Sequence, residues 1–176
     1  MDLQKLERNT HAAIDYWINE YQRYSLEQIL QKPSEHEWSM GQVGIHLWMS
    51  GKGFFFKKAE MCLNKEEVTT GKGKNFSGHL IFTFKMFPPV RYEMPKQVAV
   101  VPKQPESKEQ LIAKLEEIKQ IASTFIKRIP ESDPSLKIKH PFLGYLNTAE
   151  WIQLCNIHFI HHQRQKQRIE RQLGFS

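Results

Sequence analysis

The sequence predicts an all-α fold: a four-helix bundle with a long, partly ordered connection between its second and third helices. Three observations carry that expectation. Four stretches repeat apolar residues every three or four positions, helix-capping residues stand at the head of three of them, and residues 63–106 are too rich in Gly and Pro for one helix to cross. Helices joined by one long crossover fit the bundle architecture, and the 176 residues are expected as a single domain spanning 1–176.

In the first helix, Leu3, Leu6, Thr10, Ala13, Ile14, Trp17, Tyr21 and Tyr24 fall on one stripe, and Pro33 sets its latest end. The second is predicted to begin at Ser39, with Gln42 completing a capping box, and to bury Val43, Leu47, Ser50, Phe54 and Met61. The connection holds Gly71, Gly73, Gly78, Pro88, Pro89, Pro95, Pro102 and Pro105. It also holds the apolar runs Leu80–Phe84 and Val98–Val101, so it is expected to pack over the domain rather than to be a polar linker. The third helix follows Pro105, capped by Ser107 and Gln110, and carries Leu111, Leu115, Ile118, Ala122, Phe125 and Ile129 inward as far as Pro130. A proline-broken loop over 130–146 leads to the fourth, capped by Asn147 with Glu150 as the reciprocal acid.

Composition narrows the function. With 40% hydrophobic and 25% charged residues the chain can bury a core, which excludes a wholly disordered protein. Cys62 and Cys155 form no CxxC pair, so a disulfide framework and a zinc ribbon are both excluded, and a reduced, cytoplasmic setting is expected. No apolar run approaches the roughly 20 residues of a bilayer span and the N-terminus lacks a signal-like apolar region, so no membrane partner is expected. The net charge of +6 comes from scattered lysines. The one dense cluster, Arg164, Lys166, Arg168 and Arg171, reads as the solvated end of the last helix, and nucleic acid is not an expected partner.

The informative segment is the fourth helix. With Trp151 at 0°, His158 lies at about 340°, His162 at about 20°, Cys155 at about 40° and Gln165 at about 320°, with His161 on the edge at about 280°. Two imidazoles one turn apart on an inward face need partners, because buried ring nitrogens without them are costly. A divalent metal satisfies them, and so do hydrogen bonds to neighbouring helices. The i, i+4 spacing is the one that brings two imidazoles onto one ion. A third candidate is His46, on the flank of the second helix's apolar stripe beside the small residues Ser50 and Gly53.

Glu37–Leu47, EWSMGQVGIHL, and His140–Gln165, HPFLGYLNTAEWIQLCNIHFIHHQRQ, resemble the DinB-like, or YfiT-like, metalloenzyme family. The first carries the family's W-S-x-x-[EQ]-x-x-x-H-L element and the second its H-P-x-x-G-x-L-x-x-x-E-W…H-x-x-x-H-x-x-Q element. The resemblance implies an up-down-down-up bundle with a divalent ion, zinc or nickel, on His46, His158 and His162. It also implies a small-molecule substrate, a low-molecular-weight thiol as co-substrate, and a homodimer.

A bound divalent ion on three neutral imidazoles would keep its charge and act as a Lewis acid. Two reactions follow: transfer of a thiol to an electrophile, which the resemblance favours, and hydrolysis by activated water. A non-catalytic metal- or ligand-binding protein is the reading from another class. No catalytic residue or cofactor-binding residue is identified. Gln165 is either an orienting group for His162 or a structural amide. Glu7 sits at the edge of the first stripe, either as a base or as a solvated flank. Tyr21 and Tyr24 are either cavity-lining or core, and Cys155 is a soft ligand or a small buried apolar residue. His140, in H-P-x-x-G, either fixes its loop or meets substrate. His161 reads as a surface or supporting group, and His11, His36 and His79 as polar positions of no special role. Gly71–Lys74 lacks P-loop spacing.

Overall fold

A computed structural model describes residues 2–88 and 100–175. The protein is mostly helical, with one small two-stranded sheet. Its elements are α1 (Leu3–Arg23), α2 (Leu26–Leu30), α3 (Met40–Ser50), a π-helical turn (Gly51–Phe56), α4 (Lys57–Leu63), α5 (Phe76–Phe84), α6 (Lys108–Arg128), a 3₁₀ turn (Ile129–Glu131), β1 (Ile138–His140), β2 (Gly144–Leu146) and α7 (Thr148–Leu173). The long helices pack by their apolar stripes: α1 on α6 and α7, α3 on α6 and α7, α4 on α7. Trp17, Tyr21, Leu47, Leu111, Leu115, Ile118, Trp151 and Phe159 form the middle of the core at 0% exposure. Each large apolar side chain buried this way contributes about 1.5–3 kcal/mol.

Helix starts follow the expected chemistry. Ser39 with Gln42, and Asn147 with Glu150, both form reciprocal capping boxes. At α6 only half forms, because Ser107 accepts from the Gln110 amide while the Gln110 side chain turns back to Glu106 N–H. Ser25 and Gln28 make a further box and start α2, a helix inside the stretch before Pro33. Gly44 marks a close helix approach: a Cβ there would meet Tyr21 Oη at 2.7 Å and Leu111 Cδ1 at 2.8 Å. Tyr21 is accordingly core, and its hydroxyl donates to Met40 O at 2.8 Å.

One expectation is corrected and two gain detail. The second helix is one helical run, but its inner stripe departs from α-periodicity after Leu47. Gly51, Phe55, Ala59 and Cys62 are buried, whereas Ser50, Phe54 and Met61 are only partly so. The π-helical turn is the cause, since it carries an extra residue and rotates everything after it. The connection 63–106 is more ordered than a packed loop. Asn75 caps the nine-residue helix α5, and the segment is bridged to the later loop at Thr69–Lys137 and Lys74–Gly144. Of its second apolar run, Val98 and Ala99 lie outside the described residues, and Val100 and Val101 are exposed. The loop 130–146 folds into the antiparallel pair β1–β2, a two-stranded addition that leaves the mostly helical molecule consistent with the all-α class. Gly144 is required where the bridge and hairpin meet, with φ +84° and Asn75 N at 2.5 Å from a would-be Cβ.

The basic cluster of the last helix is also reassigned in part. Lys166 is 2% exposed and lies between Glu20 of α1 and Glu170 of α7, with Tyr24 donating to the same Glu170. A cation on the inner face survives burial because two carboxylates compensate it.

Candidate metal centre

α3 and α7 bring His46, His158 and His162 together. His46 Nε2 lies 3.1 Å from His158 Nε2, and the three ligand atoms all sit within 4.8 Å of one another. The ring centroids of His46 are 5.1 Å from His158 and 4.8 Å from His162, and the two α7 rings are 4.5 Å apart. The shortest pair already has the spacing of about 3 Å that two bonds of about 2.0–2.1 Å to one ion produce. With both rings neutral, one carries the Nε2 proton and the other accepts it, and a cation would replace that shared proton. The donor set therefore fits a borderline divalent metal.

The protonation states suit ligation. Burial pushes His46 down to about 4 and His162 down to about 3, and burial together with the neighbouring imidazoles holds His158 well below its ordinary value. All three present lone pairs at neutral pH. The groups that shift them are one another, His161, His140 and the Gln165 amide; no carboxylate is among these. His162 Nδ1 lies 2.7 Å from Gln165 Oε1 and donates to it, which places the free lone pair on Nε2, facing the other two rings. Gln165 thus takes the orienting role.

Around the imidazoles stands an aromatic wall. Trp38 lies 5.2 Å from His46, Phe55 5.1 Å from His158, and Phe87 5.0 Å from His161, which itself lies 5.3 Å from His162. His140 is part of this wall. Its ring sits 5.4 Å from Trp151 and 5.7 Å from Phe54, and its Nδ1 accepts the Phe142 N–H at 3.1 Å. It fixes its loop, and with Nδ1 accepting, the neutral ring carries its proton on Nε2. Burial pushes its pKa down to about 4.

Other candidates fall elsewhere. Cys155 is 1% exposed and burial drives its thiol strongly upward, so it is a small core residue. Tyr24 belongs to the Lys166 network, and Glu7 lies half-buried on α1, outside the His46–His158–His162 group. His11 joins α1 to α6 through Ser123 Oγ at 2.7 Å, a link that the helix pattern left invisible. His79 lies exposed on α5. Trp38 and Phe87 approach the histidines from outside the periodic segments, and a periodic stripe gives no signal for such a wall.

Among the described residues no helix is long and apolar enough to cross a membrane. No curated protein and no solved structure gives a significant match to the chain. A family model does match, over residues 8–165, which takes in most of the chain, all of α3 and α7 as far as Gln165, and so all three histidines. With that match, and with three converging imidazoles compatible with a metal ion, the chain belongs to the DinB superfamily.

Proposed function

We propose that this protein is a metal-dependent enzyme that holds one divalent ion, zinc or nickel, on His46, His158 and His162 and transfers a low-molecular-weight thiol to an electrophilic small molecule. The observation that supports it is the convergence of three neutral imidazoles with no carboxylate among the groups acting on them. Bound there, a divalent ion supplies Lewis acidity and lowers the pKa of a thiol. Three neutral imidazoles would leave the charge of such an ion uncompensated, so the site would favour an anionic ligand such as a thiolate.

The chain's own residues supply the rest. Gln165 holds His162 in the ligating tautomer. Trp38, Phe55 and Phe87 stand beside the imidazoles and offer flat apolar faces to the electrophile. In the transfer, the sulfur lone pair forms the new S–C bond. The electrophile's displaced electron pair leaves with a departing group or takes up the proton released from the thiol. In this reading, residues 1–176 form one domain whose long helical segments make an up-down-down-up bundle.

Elemental analysis of the purified protein beside a His158→Ala variant tests the centre. About one divalent metal per chain, lost in the variant, is expected for a three-histidine site. Wild-type protein that is metal-free and takes up neither zinc nor nickel would overturn the reading. Turnover of an electrophile that needs added thiol supports transfer, and thiol-independent turnover replaces it with hydrolysis.

A further inference from the structure

We propose that the exposed ridge of α5 docks this protein on an anionic membrane surface, with the helix lying in the interface and the lysines around it meeting the headgroups. Phe76, Leu80 and Phe84, one turn apart on α5, are 79%, 42% and 66% exposed, and Met86 follows at 45%. Phe142, in the turn between β1 and β2, is 63% exposed near the start of the helix, where Asn75 Nδ2 donates to its carbonyl oxygen. Together the five bare about 500 Å² of apolar surface, taking a large aromatic side chain as about 200 Å², and a patch of that size marks an interaction site. The opposite face of the helix anchors it. With Gly78 at 0°, Phe76, Leu80 and Phe84 lie at about 160°, 200° and 240°, and a Cβ on Gly78 would strike Leu143 O. Close backbone contact on one face thus fixes the ridge on the other.

The charges around the ridge have one sign. Residues 68–88 and 134–149 are held side by side by the Thr69–Lys137 and Lys74–Gly144 bridges. They contain Lys72, Lys74, Lys85, Lys137 and Lys139 and no Asp or Glu, whereas a chain with 19 acids in 176 residues would place about four in stretches of that combined length. Glu150 neutralises Lys74. Lys72, Lys85 and Lys139 are exposed, and none of them forms an ion pair among the described residues. The nearest preceding acids in sequence, Glu66, Glu67 and Asp133, stand outside the two segments. Asp2 lines a groove with Lys85, but Lys5 lines the same groove and offsets it. A surface helix with aromatic and aliphatic side chains on its free face and lysines beside it is built to seat about 5–10 Å into a headgroup region, its cations against lipid phosphates.

Lipid fits this face better than protein does. A second copy presenting the same face would set lysines against lysines with no carboxylate between them, and like charges oppose association. A different protein would have to supply a groove matched to a convex row, whereas the fluid boundary of a bilayer accepts such a row whatever its detailed shape. The expectation of no membrane partner rests on the absence of a span and of a signal-like region, and neither bears on contact at a surface. Both ends of the ridge adjoin the wall around the imidazoles. The Phe142 ring lies 6.2 Å from His140, and Phe87, three residues after Phe84, lies 5.0 Å from His161. The docked face therefore borders the candidate metal centre, yet docking needs no bound ion.

Flotation of the full chain with lipid vesicles tests the proposal. At about 50 mM salt, phosphatidylcholine vesicles containing about 30% phosphatidylglycerol are expected to carry the protein upward, with an apparent affinity at least about tenfold above that for pure phosphatidylcholine, and to release it as salt rises toward about 500 mM. Phe84→Glu is expected to weaken binding to the anionic vesicles by about a hundredfold, since it removes an inserted ring and adds a repelled charge. Lys85→Gln with Lys139→Gln is expected to weaken it by about tenfold and to flatten the salt dependence. Met49→Glu, at an exposed methionine of α3, is the control and is expected to bind as wild type does. These side chains are exposed, so native far-UV dichroism is expected throughout, and Leu80→Gln serves if Phe84→Glu melts early. Wild type that stays with the bottom fraction at low salt overturns the proposal. So does flotation unaffected by Phe84→Glu and Leu80→Gln, or equal binding to neutral and anionic vesicles. If wild type fails to float and sediments as an oligomer that Phe84→Glu dissociates, the proposal falls and the ridge belongs to another copy of the chain.

Discussion

His162 shows how much a single neighbour decides. Either ring nitrogen can carry the proton until Gln165 Oε1 accepts a hydrogen bond from Nδ1–H, and then only Nε2 can ligate. Replacing Gln165 with Leu removes the acceptor and frees the tautomer. Metal affinity is expected to fall about 10–100-fold, measured by competition with a chromophoric chelator, with helicity unchanged; undiminished affinity would show that the amide does not orient the ligand. The imidazoles also predict a pH dependence of the metal-free protein. His46 and His140 titrate at about 4 and His162 at about 3 in the folded state, against about 6.5 in an unfolded chain. The unfolded state then binds more protons below pH 6.5. Stability is fully present above that value and falls as pH drops toward 4 and 3, by up to about 1.4 kcal/mol per pH unit for each histidine. Urea midpoints taken from pH 8 to 4 check this, and a midpoint unchanged from pH 6.5 to 4 would contradict it.

At the scale of elements, the Lys166 network ties α1 to α7 through a cation with carboxylates on both sides. Lys166→Met keeps the length of the side chain but leaves Glu20 and Glu170 facing each other. The expected cost is about 2–4 kcal/mol, seen as a melting temperature lower by roughly 5–15 °C; a drop of under 2 °C would show that the carboxylates find solvent on their own. The same network shows where sequence reading stops. Lys166 stands among Arg164, Arg168 and Arg171, and nothing local separates a buried cation from its solvated neighbours, because Glu20 is remote in sequence. Helix starts are legible for the opposite reason: Ser39 with Gln42 and Asn147 with Glu150 satisfy their own first turns with neighbours three residues away. The histidine pair on α7 is legible because a turn of helix is a local distance. The π-helical turn is not, since one extra residue after Leu47 changes the phase without any distinctive composition, leaving Gly51 and Cys62 inside. Helix α5 escapes because Phe76, Leu80 and Phe84 face water and only Ile81 is buried among its large apolar residues, so its pattern does not report burial.

For the whole molecule, metal and fold are expected to be linked. An ion that binds the folded chain alone stabilises it by about 2.7 kcal/mol at a free concentration a hundred times its dissociation constant. Thermal unfolding with and without zinc should therefore show a shift in wild type that a chelator reverses and His158→Ala lacks. Equal melting temperatures under all conditions would mean that the three imidazoles are a hydrogen-bonded polar cluster and nothing more.

The histidines and the wall around them come from different kinds of backbone. All three imidazoles are held by regular α-helix, whereas Trp38 and Phe87 sit in irregular segments, Phe54 and Phe55 in the π-helical turn and His140 in a strand. Changes that reshape the wall therefore leave the ligand spacing untouched. A lineage built on this plan can exchange one substrate for another by altering its connections while the chemistry stays inherited, and related chains are expected to differ most in the residues that decide what they accept.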